Sequence, residues 1–176
     1  MNHNLQAIQA KFKEQGYTLE PYQEKDRAKL YEIYQEVIEA GTYFPHDDSS
    51  CEEFQRCFFA PGSHVYVCKS AEEVLGAFYL KPNFPGRGNH IANAAYMIKK
   101  TARGKGLGKL LGESSLYLAK AIGFQAIQLN VVLSQNLPAI HLYKKLGFHI
   151  IGTIPQAIRT PNGSYQAGYI MYRALF

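Results

Sequence analysis

From residue 103 the chain reads Arg-Gly-Lys-Gly-Leu-Gly-Lys, a composition suited to holding an anion. Glycines let a backbone approach a ligand closely. Where such a turn opens a helix, its unpaired N–H groups and the positive end of the helix dipole favour negative charge. Three kinds of phosphate loop compete for the stretch, and spacing chooses among them. A Walker loop needs G-x-x-x-x-G-K-[ST], but five residues after Gly104, where the second glycine is required, stands Lys109, and Leu110 and Leu111 follow at the lysine and hydroxyl positions. A dinucleotide fingerprint needs G-x-G-x-x-G, yet its third glycine position falls on Lys109 counted from Gly104 and on Leu111 counted from Gly106. What remains is Arg-x-x-Gly-x-Gly over Arg103 to Gly108, with Lys99, Lys100, Lys105 and Lys109 close enough in sequence to meet further phosphate charge. A surface turn with capping glycines and solvated lysines is the plainer account of the same residues.

A second segment reads Asn136-x-x-Ala139-x-x-Leu142-Tyr143-x-x-x-Gly147-Phe148. Asn136 predicts an N-cap, Pro138 is tolerated in the first turn, and Gly147 closes the helix. In this order and this strand-helix context the two segments, about a third of the chain, resemble the acetyl-CoA pattern of the GNAT superfamily of N-acetyltransferases. The resemblance implies an α/β single-domain fold, with a mixed, mostly antiparallel sheet splayed at the cofactor site and flanked by helices. It implies acetyl-CoA as cosubstrate and no metal. Its pyrophosphate would lie on Arg103, Gly104, Lys105, Gly106, Leu107, Gly108 and Lys109. Backbone N–H groups near Met97 and Ile98 would polarise the thioester carbonyl, Asn136 would reach the pantetheine, Ala139 would allow close packing, and Tyr143 would bring its hydroxyl near the sulfur. With a reference pKa of ~10 against ~8.5 for a cysteine-like thiol, a tyrosine can protonate a departing thiolate. A core aromatic with a wet tip is the alternative role for Tyr143.

Such enzymes act by direct attack of a neutral amine, without an acyl-enzyme, and no Ser/His/Asp or Cys/His constellation is evident here. Many relatives carry a glutamate on the strand before the glycine loop, where this chain has His90-Ile91-Ala92-Asn93-Ala94-Ala95-Tyr96. The base is therefore a water relay or a partly neutral amine, with His90 and His141 as weaker candidates.

A closer resemblance covers roughly residues 78–155. The stretches Asn89 to Asn93, Gly112-Glu113-Ser114 and Leu129-Asn130-Val131-Val132 look like the fungal acetyltransferases acting on azetidine-2-carboxylate and related proline analogues. It implies that Asn93 and Asn130 face the acceptor, holding a carboxylate and placing the amine, with Val131 beside them. Asn130 thereby joins Tyr143 as a candidate catalytic residue. An amide can hold a carboxylate without bringing a charge that must itself be desolvated. The same asparagines could instead satisfy backbone groups where strands diverge. Tyr43 and Phe44, with Thr42 and His46, are candidate pocket walls, or equally an ordinary loop. The expected acceptor is a small amine such as an amino acid or its analogue. A protein N-terminus or lysine is the rival acceptor, and a non-catalytic acyl-CoA sensor the rival class.

These groups need elements to carry them. Residues 3–15 place Leu5, Ile8 and Phe12 on one face of an extra N-terminal helix, and Tyr17–Pro21 reads as a strand. Asp26–Ala40 is helical, with Gly41 as its stop, and Ser50-Cys51-Glu52-Glu53 has the form of a capping box before a short helix. His64–Lys69, Val74–Lys81 and Ile91–Ile98 read as an antiparallel meander. A helix lined by Leu107, Leu110, Leu111, Leu118 and Ile122 follows, then strand Ala126–Val132, the Asn136–Leu146 helix, and strands Phe148–Ile154 and Tyr165–Leu175 joined across Asn162-Gly163.

A chain of 176 residues, 47% of them hydrophobic, suits one domain over 1–176. Its charge of +5 is modest and not gathered into the runs of a nucleic-acid arm. No apolar run approaches the ~20 residues of a membrane span, and the first residues carry no leader pattern, so a cytoplasmic protein is expected. Cys51, Cys57 and Cys68 lack metal or disulfide spacing and read as reduced thiols. A monomer or homodimer is expected, the last strand leaving an edge that either pairs or stays solvated.

Overall fold

The computed structural model describes residues 2–176, with side chains from Gln6 onward. The helical spacing of Leu30, Ile33, Tyr34, Val37 and Ile38 becomes α2 (Arg27–Glu39), which follows α1 (Asn2–Glu14) and buries all five side chains. Gly41 stops it at φ +62°, with its N–H on the Ile38 carbonyl. Phe12 of α1 is buried in the main core, whereas the Leu5 side chain lies outside the described residues. Only half of the expected capping box forms at α3 (Cys51–Phe58). Ser50 Oγ accepts from the Glu53 N–H at 3.2 Å, but the Glu53 carboxylate turns to Arg56 and His46, and the Ser50 N–H donates to Asp48 at 2.7 Å. Ion pairing outcompetes the reciprocal cap.

β1 (Thr18–Pro21), β2 (His64–Ser70), β3 (Glu73–Pro82) and β4 (Ile91–Ile98) pair antiparallel in sequence order. After α4 (Leu107–Ile122), β5 (Ala126–Leu133) joins β4 in parallel; α5 (Leu137–Lys145), β6 (His149–Arg159) and β7 (Tyr165–Ala174) complete the order β1-β2-β3-β4-β5-β7-β6. The last strand does not form the expected edge. The Asn162-Gly163 turn folds β7 back between β5 and β6, so β1 and β6 are the open edges, and β6 runs past the expected Ile154 to Arg159.

Apolar residues cover both sheet faces. Leu107, Leu110, Leu111 and Leu118 of α4 belong to the same core as Phe78, Leu80, Ala94 and Ile127. Leu30, Tyr34, Phe54 and Phe58 of α2 and α3 share the opposite one with Val67, Ala77, Tyr79 and Met97. α5 packs close on α4, because a Cβ at Gly112 would overlap Leu146 and one at Gly108 would stand 3.2 Å from Leu142. β4 and β5 pair only at Ile91/Ala126, Ala92/Ile127 and Asn93/Gln128. Beyond Asn93 they separate, and the expected splay is present.

Candidate active site

The glycine loop ends in a helix start that presents its donors outward. Gly104 and Gly106 take φ +76° and +80°, a region costly for any side chain, and Gly106 caps α4 without a side-chain cap. The backbone N–H groups of residues 104–108 donate to no acceptor among the described residues. Five amides thus face outward at the positive end of a helix spanning 16 residues, the requirement for an anion seat.

The side chains around the loop are less free than their sequence promises. Arg103 donates from Nε to the Ile98 carbonyl (3.0 Å), pairs with Glu36 (3.2 Å) and lies 4.5 Å from the Tyr43 ring centroid. Its guanidinium ties the loop to β4, α2 and the segment after α2. Lys99 is paired with Glu73 at 2.7 Å, and Lys109 stands 3.8 Å from Glu113. Lys105 has no ion pair among the described residues.

The strand gap sorts the carbonyl donors. The Asn83 N–H donates to the Ile91 carbonyl and the Lys99 N–H to that of Leu75, bracketing β4. Because bonded and non-bonded pairs alternate in an antiparallel ladder, odd positions of β4 bond to β3. The Met97 N–H therefore points to β3 and its side chain is buried on the α2 face, away from the gap. The N–H groups of Tyr96 and Ile98 point into it. Of the two expected carbonyl donors, only Ile98 is placed for that task.

Two cavities meet at this gap. One, about 280 Å³ and largely apolar, is lined by Ile98, Ala102, Arg103, Gly104, Gly108 and Leu142. The other, about 530 Å³, is lined by Lys81, Asn93, Asn130, Val131, His46 and Glu53 among others. Tyr43, Phe44, Tyr96, Asn136, Ala139 and Tyr143 line both. Ile98, Arg103, Gly104 and Gly108 thus line the first cavity, Asn93, Asn130 and Val131 the second, and Tyr43, Phe44, Asn136 and Tyr143 stand on the wall between.

On that wall Tyr143 packs its ring 5.8 Å from Tyr96 and 5.7 Å from Phe148, and its hydroxyl bonds to no described residue. Burial, with the neighbouring Tyr96, raises its pKa above the ordinary phenol value, so it is protonated at neutral pH. Tyr96 is held differently, by Ser115 Oγ at 2.7 Å, and its pKa is pushed up to about 12 by burial. Asn136 is the expected N-cap, with Oδ1 accepting from the Ala139 N–H at 3.3 Å. Its Nδ2 remains unspent.

The two asparagines expected to hold a carboxylate are both engaged. Asn93, 8% exposed, accepts from the Tyr79 hydroxyl (2.9 Å) and donates to the Gln128 carbonyl (3.1 Å), pinning β4 to β5 at the last paired position. Asn130 lies where the β5 register shifts, accepting from Gln128 Nε2 (2.9 Å) and donating to Asn83 (2.7 Å). His90 bonds the Arg87 carbonyl at the surface, and neither it nor His141 lines either of these two cavities. Cys68 is buried in the core with its pKa pushed up to about 12, an inert thiol. Glu53, Lys81 and Tyr79 were not legible as site residues, since Glu53 reads as part of a capping box on α3 and Tyr79 and Lys81 stand on β3 with no motif around them. His46 is brought in as expected, its Nε2 3.6 Å from Glu53 and its Nδ1 buried without a partner. Among the described residues no cluster of three or more His, Cys, Asp or Glu could hold a metal. No helix among them is long and apolar enough to cross a membrane.

A helix start with unbonded amides, a cavity beside it and a second cavity beyond a strand gap together form the candidate site. The sequence pattern of the Acetyltransferase (GNAT) family matches residues 27–148, and the chain belongs to that family. N-acetyltransferase aca1 of Schizosaccharomyces pombe is 42% identical over 86 residues, 49% of this chain and 41% of its own. The chain spans less than half the length of the curated relatives it matches. A GCN5-related N-acetyltransferase from Kribbella flavida superposes with a TM-score of 0.85 at 30% identity, covering 92% of this chain and 99% of that one. A phosphinothricin acetyltransferase from Sinorhizobium meliloti in complex with acetyl-CoA does so at 0.81 with 22% identity, over 91% and 89% of the two chains, a likeness of fold.

Proposed function

We propose that the protein is an acetyl-CoA-dependent N-acetyltransferase whose acceptor is a small amine carrying a carboxylate, such as an amino acid or an analogue of one. The observation that carries this reading is Tyr143, a protonated hydroxyl without a partner among the described residues, on the wall shared by two cavities. Acetyl-CoA supplies an acetyl group activated as a thioester. The outward N–H groups of residues 104–108, with Lys105, would hold its pyrophosphate, and Asn136 Nδ2 its pantetheine. The Ile98 N–H, directed into the gap, meets the negative charge that develops on a carbonyl oxygen there. Tyr143 donates its proton to the departing sulfur.

The attacking amine must lose a proton, and β4 offers no carboxylate for it. His46 on the acceptor wall is held neutral at physiological pH chiefly by burial, while Glu53 beside it is engaged by Arg56; His46 is the group there able to take a proton. An acceptor cavity of about 530 Å³ matches a small molecule. The free thiols of Cys51, Cys57 and Cys68 are consistent with a reducing, cytoplasmic setting. A thiol-release assay with acetyl-CoA over amino acids, polyamines, aminoglycosides and peptides tests the proposal. Release with amino acids supports it; release with peptides alone refutes the small acceptor, and binding of acetyl-CoA with no release refutes catalysis.

A further inference from the structure

The groups that first suggest themselves for an acceptor's carboxylate, Asn93 and Asn130, spend their amides inside the protein. The same cavity holds a cation that does not. Lys81, near the end of β3 and directly opposite Asn93 in the β3–β4 register, is half-buried on the cavity wall. Its Nζ donates to the Cys57 carbonyl at 2.8 Å and stands 4.5 Å from the centroid of the Tyr79 ring. No carboxylate lies within ion-pair distance of it among the described residues. An ammonium has three N–H donors, so two remain for an incoming ligand.

The charges around it sharpen the point. Arg56 and Glu53, the other charged pair lining this cavity, are bonded to each other, and His46 is neutral. Lys81 is therefore the positive charge on this wall without a counter-ion. Burial lowers its pKa, with Cys57 and Glu53 pulling weakly the other way, as happens when an ammonium's hydration is stripped without full replacement. The same wall carries an unsatisfied donor, since Asn83 Nδ2 is buried with no acceptor among the described residues. Buried polar atoms in folded proteins rarely stay unmatched, so an open donor on the wall that also carries an ammonium without a counter-ion calls for an anionic acceptor.

We infer that Lys81 is the specificity-determining residue of the acceptor site, its ammonium receiving the carboxylate of the amine substrate, with Asn83 Nδ2 as an auxiliary donor. This rests on the small-amine reading of the cavity above. Asn93 becomes a positioning residue that holds Tyr79 under the lysine.

The experiment compares carboxylated amines with their primary carboxamides, using wild type, Lys81→Met and Lys81→Arg. Wild type is expected to favour the carboxylate. In Lys81→Met the KM of the carboxylate rises about 10- to 100-fold, the scale of a lost charge-assisted hydrogen bond. The carboxamide and acetyl-CoA then stay within about twofold, and Lys81→Arg recovers part of the preference. Thermal shift gives a readout free of turnover: carboxylated amines raise the Tm of wild type and not that of Lys81→Met. Equal effects on carboxylate and carboxamide, or a wild type indifferent between them, overturn the role of Lys81 while leaving acetyl transfer standing. If no amine releases thiol, the transfer reading fails, and the thermal shift alone decides whether Lys81 binds carboxylates.

Discussion

Replacing Tyr143 by Phe removes one oxygen and little else. The ring keeps its packing against Tyr96 and Phe148, and the hydroxyl lost bonds to no described residue, so no partner is stranded. The stability cost should fall within about 0.5 kcal/mol, the range of substitutions that break no named interaction. Catalysis should respond quite differently, because a positioned general acid contributes about 10²- to 10⁴-fold. At 1.36 kcal/mol per decade this is about 3–5 kcal/mol of barrier. Steady-state thiol release should therefore show kcat falling by that factor, with the KM for acetyl-CoA within about threefold and the Tm unchanged. The pH profile gives a further check. An acid must be protonated to act, and a pKa raised above the phenol value by burial keeps Tyr143 protonated throughout the neutral and mildly alkaline range. Wild-type kcat should thus show no loss from tyrosine ionisation below about pH 10. Tyr143→Phe with wild-type turnover would refute the proton-donor role outright.

Other perturbations test the scaffold and the acceptor wall. Gly106→Ala meets no steric obstacle, since the nearest atom to a new Cβ is Gln15 Oε1 at 4.0 Å, but it forces a left-handed φ of +80° on a side chain. It should cost about 1–2 kcal/mol in urea unfolding and weaken acetyl-CoA binding by swinging the loop amides away, read as a higher Kd in calorimetric titration with CoA. Asp26→Asn takes from the Lys69 ammonium, 2.9 Å away with both side chains 6% exposed, the more buried of its two carboxylates, leaving Glu20 at 3.2 Å; it should lower stability by about 1–3 kcal/mol in urea unfolding without changing KM. His46 has its pKa lowered by burial, and by Lys81 and Arg56, against the opposing pull of Glu53. The unfolded chain therefore binds the proton more readily. The stability tied to neutral His46 is complete above about pH 6.5 and is lost as pH falls through the lower folded-state value. Unfolding midpoints from pH 7.5 to 5 should decline less steeply in His46→Gln; identical slopes would remove His46 from the balance.

What the sequence could disclose divides along the range of the interactions involved. Positions of α2, α4 and α5 follow from local periodicity and caps, and Asn136 and Gly41 perform the tasks their types predict. The parting of β4 and β5 after Asn93 could be expected only through resemblance, because it depends on the register of strands far apart in the chain. Long-range partners were hidden altogether. Nothing in Arg-Gly-Lys-Gly-Leu-Gly says that Glu36, from α2, will take the guanidinium of Arg103. Nothing in an alternating strand says that Lys81 will be the residue on it without a carboxylate. Met97 illustrates the finest level: one residue along a strand turns an N–H from the gap to the neighbouring strand, and only the ladder's phase, set by Asn83 and Lys99, decides which.

The fate of Asn93 follows from the same physics. An amide at the last paired position of two diverging strands faces a buried carbonyl on β5 that has lost its ladder partner, and an unmet carbonyl in the interior costs about 1–3 kcal/mol. Asn93 meets it with one N–H and uses its oxygen to fix the Tyr79 hydroxyl, whose ring underlies Lys81. The side chain expected to grip the acceptor is thus spent on keeping the gap open and the lysine's platform in place. Recognition passes to a charge that the fold leaves uncompensated, so the acceptor's anionic group completes the electrostatics of a wall the protein does not neutralise by itself.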